Sequence, residues 1–204
     1  TYMTDEAKLV FINAAHYISK FDGQGAIVRK RPRTVQRNRL VVDMAVLKAS
    51  LAELRVGQPD GPIAVPDAHQ SIGRYFPEHG WEALGKDADD VLRRLNSDGP
   101  YLYPSGDYEL TVDRELQKLR VGNSAAEFLP RIAGLLRTAE PAQSGVLMKI
   151  LGRYTDQSFK TPAEWQAWIL ANHSRMFFSE SAGYLWLVNP MLPEPDAARV
   201  GGGR

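Results

Sequence analysis

Two eighteen-residue stretches, Asn96 to Asp113 (NSDGPYLYPSGDYELTVD) and Asn172 to Asn189 (NHSRMFFSESAGYLWLVN), align without a gap seventy-six positions apart. Four positions are identical (Asn96/Asn172, Ser105/Ser181, Tyr108/Tyr184, Val112/Val188), and Tyr101/Phe177, Leu102/Phe178 and Asp113/Asn189 are conservative. A random pairing of this length gives about one identity, so the match points to an internal duplication. Each copy reads as the end of a helix running into a β-hairpin. In the first, the turn residues Pro104 to Asp107 separate Tyr101 to Tyr103 from Tyr108 to Val112; in the second, Met176 to Ser179 precede Tyr184 to Val188. A lone two-stranded hairpin is marginal in water, so the two are expected to pair edge to edge. The expected fold class is therefore α+β, mainly helical, with two related helix plus β-hairpin units sharing a small antiparallel sheet beneath a helical layer.

Helix signals place the rest. Thr4 suits an N-cap, Asp5 and Glu6 suit the positive end of a helix, and Leu9, Phe11, Ile12, Ala15 and Ile18 recur at helical spacing up to a stop near Gly23. Leu40, Met44, Leu47, Leu51 and Leu54 mark a second helix from about Leu40 to Arg55. Asp67 can cap a short helix through Tyr75, Asp87 a surer one, and Asp113 another through Leu119. Asn123 or Ser124 starts a helix through Arg137, and Pro141 opens the next. Thr161, Pro162, Ala163 and Glu164 form a capping box with proline at the first helical position. The expected organisation is a helix at 1–23 belonging to an upstream domain, a basic connector at 24–39, a first helix-hairpin unit at 40–122, a second at 123–189, and a disordered tail at 190–204.

Composition removes several functions. Lysine plus arginine number 25 against 24 acids, so no global field recruits nucleic acid or a membrane surface. The absence of cysteine removes disulfides, thiolate catalysis and every Cys-containing zinc site. No apolar run approaches a membrane span, and the N-terminus lacks a basic region followed by an apolar signal core. No cofactor motif emerges: Gly23-Gln24-Gly25 lacks the preceding strand and third glycine of a phosphate-binding loop, and G-x-S-x-G is absent.

Two local clusters carry chemistry. Arg29, Lys30, Arg31, Arg33, Arg37 and Arg39 crowd around Pro32 with no acid among them, and such a run can pair with phosphates or with acidic protein surface. Its bland reading is a solvated linker or a contact to acids such as Asp87, Asp89 and Asp90. The second cluster is the segment PDAHQSIGRYFPEHGW, where His69, His79, Glu78 and Asp67 are candidate metal or acid-base groups, although their spacing matches no zinc motif. The aromatics Tyr101, Tyr103, Tyr108, Trp165, Trp168, Phe177, Phe178, Tyr184 and Trp186 read as core rather than as a stacking platform.

The first helix, TDEAKLVFINAAHYISKFDGQ, resembles the closing helix "TxEAxxLFxNAxxYIxxFDG" of trehalose-utilisation-type, glutamine-amidotransferase-like α/β domains. The stretch YTDQSFKTPAEWQAW, Tyr154 to Trp168, is similar to the terminal helical unit of HEAT-like repeats in large exported bacterial proteins. Together the resemblances imply the C-terminal region of a multidomain bacterial protein, favour an extracytoplasmic setting, and supply no catalytic residue. The α/β domain itself is missing, and one helix-hairpin unit is not a HEAT array.

The expected function is a non-enzymatic accessory or interaction module docking on a protein partner or an upstream domain, with the basic connector making the contact. The alternatives are a metal-assisted hydrolase, or a fragment of one, using the His69 to Trp81 loop, and nucleic-acid binding through Arg29 to Arg39.

Overall fold

A computed structural model of the chain describes residues 4–19, 28, 30–57, 60–64, 72–77, 84–85 and 87–193. Its elements run α1 (Asp5–Ser19), α2 (Arg37–Gly57), α3 (Ala88–Asp98), β1 (Leu102–Gly106), β2 (Glu109–Val112), α4 (Arg114–Leu119), α5 (Phe128–Thr138), α6 (Pro141–Tyr154), α7 (Pro162–Asn172), β3 (Met176–Ser179) and β4 (Leu185–Val188). Short 3-10 turns at Gly73–Tyr75, Gly99–Tyr101 and His173–Arg175 complete the order. The chain is α+β and mainly helical, and each hairpin is entered from a helix through a 3-10 turn.

Local chemistry sets most boundaries. The Asp87 carboxylate accepts from the Asp89 N–H at 2.8 Å and starts α3, with Asp89 and Asp90 in its first turn. Asp113 caps α4 through the Leu116 N–H at 2.9 Å. The Thr161 and Glu164 capping box closes reciprocally at the start of α7. Tertiary contacts move other boundaries. The second helix starts at Arg37, three residues early, because the Glu180 carboxylate accepts from the Arg37 N–H at 2.8 Å and acts as a cap from 143 positions away. Conversely, α5 starts at Phe128 rather than at Asn123 or Ser124, because the Asn123 side chain is spent elsewhere. The helix expected from Asp67 appears, within the described residues, only as the Gly73–Tyr75 turn; Asp67 itself lies outside them.

The two hairpins do not share a sheet. β1 pairs with β2 and β3 with β4, giving two separate antiparallel two-stranded sheets. Other groups occupy the edges: the Leu102 carbonyl of β1 accepts from Asn123 Nδ2 at 2.9 Å and from Arg37 Nη2 at 3.3 Å, and Thr155 forms a parallel bridge to Trp186 of β4. The first turn is also tighter than expected, with Asp107 and Tyr108 at its tip and a register shift between Pro104 and Gly106.

Two hydrophobic cores flank the first hairpin. Leu102, Leu110 and Val112 point into a core built by Leu40, Leu47 and Leu51 of α2 with Val91 and Leu95 of α3. Tyr101 and Tyr103 pack on a second core of Phe128, Ile132, Leu147, Ile150, Tyr154 and Trp165 from α5, α6 and α7. The second hairpin divides likewise: Tyr184 enters the first core, Trp186 the second, and Phe178 touches both. Neither core is therefore closed by one hairpin alone, which makes large side chains at alternating strand positions a requirement of the packing.

Candidate functional site

Residues 30–37 cross both hairpin turns as a strap. The Arg31 N–H donates to the Ser181 carbonyl at 2.8 Å, and the Tyr108 N–H donates to the Arg33 carbonyl at 2.7 Å. The Tyr184 hydroxyl donates to the Val35 carbonyl at 2.9 Å, and Val35 is itself buried. The strap bends at Pro32 and Arg33, because proline lacks the N–H a helix would need and Arg33 lies in the left-handed region with φ of 66°. Gly183 lets the strap lie close: with φ of +97° it adopts a conformation L residues avoid, and a Cβ there would come within 3.0 Å of Arg31 Cδ.

The basic residues of the run have different surroundings. Arg33 reaches Asp107 at 2.6 Å, and the bond to that carboxylate raises the guanidinium pKa above its already high ordinary value. Arg37 is the hub. Its guanidinium bonds Glu180 at 3.3 Å, Ser124 Oγ at 2.9 Å and, by a short contact, Asn123 Oδ1, and it lies 5.0 Å from the Tyr184 ring centroid. Arg39 leans on Asp43 at 3.8 Å, whose carboxylate also accepts from the Tyr75 hydroxyl at 2.9 Å. Lys30 and Arg31 have exposed side chains, and Arg29 lies outside the described residues. The acids that meet the run are thus Asp107, Glu180 and Asp43. Of the acids expected from sequence, Asp89 pairs with Arg55 at 2.5 Å and Asp90 with Arg93.

Asn123 joins the strap to the second core. Its side chain donates to the Leu102 carbonyl and accepts from Arg37, while its carbonyl accepts from Trp186 Nε1 at 2.7 Å. Asp113 does the same between β2 and α6: it is buried, caps α4, accepts from the Tyr154 hydroxyl at 3.0 Å and pairs with Arg153, which sits 4.9 Å from the Tyr103 ring centroid. Sequence reasoning marked Asn123 and Asp113 only as helix caps and missed Glu180, because their long-range partners have no local signature.

The histidine loop gains no description, since Asp67, His69, Glu78 and His79 all lie outside the described residues. Among the described residues no three His, Asp or Glu side chains gather as a metal-holding set, and no helix is long and apolar enough to cross a membrane. A cleft of about 500 Å³ opens between α3 and β2, lined by Phe76, Leu84 and Leu110 with Arg94, Asp98 and Arg114. Buried Asp98 takes its hydrogen bond from Gln117 Nε2 at 2.8 Å, and Arg94 and Arg114 stand off at 3.6 and 3.9 Å. A second groove, about 530 Å³ and mostly apolar, lies between α5 and α7 along Ala133, Ala167 and Leu170. The sequence indicated neither cavity.

No protein-family model matches the chain, and neither a curated protein nor a solved structure matches it.

Proposed function

We propose that this chain is a non-enzymatic accessory module that docks on a larger partner or on an upstream domain of the same protein, with α1 as the docking element. One observation carries the reading: Leu9, Val10, Phe11 and Ile12 of α1 are 47–70% exposed, so the fifteen-residue helix presents a run of large apolar side chains to solvent. Isolated helices of that length are marginal in water, and one rich in large apolar residues gains its stability from a surface it covers. The likeness of α1 to the closing helix of a trehalose-utilisation-type domain names a candidate for that surface. In this reading the strap fixes the docking element to the scaffold rather than binding the partner itself. Nucleic-acid binding would require Arg33, Arg37 and Arg39 to leave the carboxylates they already meet.

We further propose that the two helix-hairpin segments descend from one duplicated unit. In support, β2 and β4 begin at equivalent positions, 109 and 185, each directly after a tyrosine with left-handed backbone.

The test is urea denaturation of Phe11→Asp and Ile12→Asp, in this chain and in the protein extended by whatever residues are encoded upstream. Docking through α1 predicts unchanged midpoints in the chain alone and lowered ones in the extended protein. Equal midpoints in both settings would remove α1 as the docking element.

A further inference from the structure

The cleft between α3 and β2 has a positive end, an apolar wall and a negative far end. Four consecutive residues of β2, Glu109 to Val112, line it. Side chains alternate between the two faces of a strand, so the cleft runs along the edge of β2, with Phe76, Leu84 and Leu110 as its apolar wall. At the Val112 end, α3 and the start of α4 bring two guanidiniums to one carboxylate: Arg94 Nε lies 3.6 Å and Arg114 Nη1 3.9 Å from Asp98. Neither distance is a hydrogen bond. Buried Asp98 takes its close bond from Gln117 Nε2 at 2.8 Å, and Gln117 Oε1 steadies Arg114 at 2.8 Å. Two guanidiniums against one carboxylate leave this end positive. N–H groups of an antiparallel strand turn alternately to and from their partner. The Asp113 N–H donates to the Tyr101 carbonyl at 2.9 Å, so the Val112 N–H turns outward near Arg114. Glu109 stands three residues up the strand, about 10 Å away, with its carboxylate where a Cβ on Gly106 would clash.

We propose that this cleft binds a small monocarboxylate with an apolar body. The carboxylate sits at Arg94, Arg114 and the Val112 N–H, and the body lies along Phe76, Leu84 and Leu110. The volume of about 500 Å³ falls inside the range of about 300–1,000 Å³ found for small-molecule sites. Charge selects the class. One carboxylate balances the positive end, where a planar guanidinium fork suits it. A cation meets two guanidiniums there and is turned away. At the far end Glu109 repels a second anionic group, which excludes dicarboxylates. The proposal is independent of the docking role given to α1.

Isotope-edited NMR of the full chain, titrated with 3-phenylpropionate and with straight-chain monocarboxylates from butyrate to octanoate, tests this. The expected result is saturable movement of the Val112 and Arg114 amide signals, with a Kd of about 1 mM for a ligand of about ten heavy atoms. The neutral 3-phenylpropionamide, the cationic 3-phenylpropylamine and the dianionic suberate should each bind at least about tenfold more weakly. Arg114→Ala should weaken the monocarboxylates about three- to tenfold, and Glu109→Gln should admit suberate. Absence of saturable binding by every monocarboxylate overturns the proposal, as does equal binding of the amide or unchanged affinity in Arg114→Ala. Signals that move only at Ala167 and Leu170 place the ligand in the α5 to α7 groove and overturn it too. Suberate binding that Glu109→Gln leaves unchanged contradicts the charge selection, and with it the class of ligand.

Discussion

Tyr108 and Tyr184 stand seventy-six positions apart with the same left-handed backbone, φ of 59° and 64°, each directly ahead of the second strand of its hairpin. Their side chains have opposite fates: Tyr108 is 60% exposed at a turn tip, and Tyr184 is fully buried under the strap. A bulky residue in this conformation is strained by about 1–2 kcal/mol, and only Tyr184 recovers the cost through packing.

Glycine at the two positions should therefore act in opposite directions. Tyr108→Gly relieves the strain at the loss of few contacts and is expected to stabilise by up to about 1 kcal/mol. Tyr184→Gly removes a buried aromatic ring and should destabilise by about 3–5 kcal/mol. Urea midpoints of the two variants decide the matter.

Arg37 and Glu180 hold the strap to the second turn. Arg37→Ala leaves a half-buried carboxylate and the Leu102 and Asn123 acceptors short of a donor, and is expected to cost about 2–3 kcal/mol. Lys30→Ala, at an exposed position of the same basic run, should stay within about 0.5 kcal/mol of the parent. Equal effects for both would mean that the strap is an ordinary solvated linker.

Asp113 anchors α4, Tyr154 and Arg153 at once from a buried position. Asp113→Ala strips a buried guanidinium partner and a helix cap together, and should cost about 3–5 kcal/mol by chemical denaturation. Asn189, its counterpart in the second copy, instead accepts the exposed Met191 N–H at 2.9 Å, so Asn189→Ala should cost about 1 kcal/mol or less.

Burial pushes the phenol pKa of both Tyr154 and Tyr184 above the ordinary value of 10.0, with the nearby Asp113 and Glu180 charges acting in the same direction. Because the folded-state pKa is the raised one, both hydroxyls contribute stability that is complete below pH 10 and is lost as pH climbs from there through the raised folded-state values. The denaturation midpoint should fall steeply in that alkaline range. Tyr184→Phe, which keeps the ring, should flatten the fall, as pH-dependent thermal melts would record.

What the sequence made legible follows from range. Asp87, Asp113 and the Thr161 box start helices through hydrogen bonds spanning two or three residues, and those starts were readable. The hairpins were readable from turn residues and alternation. The start of α2 was not, because its cap is Glu180, and the fate of the sheet edges was not, because Asn123 and Arg37 fill them from other segments. The basic run was visible as a cluster, but nothing local indicated that Arg33 would meet Asp107 and Arg37 would meet Glu180. Tyr108 and Tyr184 look alike in sequence and both meet the strap, but Tyr184 sends its ring into the first core while Tyr108 stays exposed at a turn tip.

Hydrogen exchange of the chain alone, read by mass spectrometry, tests the central claim most directly. If residues 30–188 form a strapped scaffold that carries α1 as a docking element awaiting its surface, amides of α1 exchange at once. Those of α2, the two hairpins and α5 to α7 stay protected together. Slow exchange of α1 in the chain alone, matching that of α2, would contradict the account.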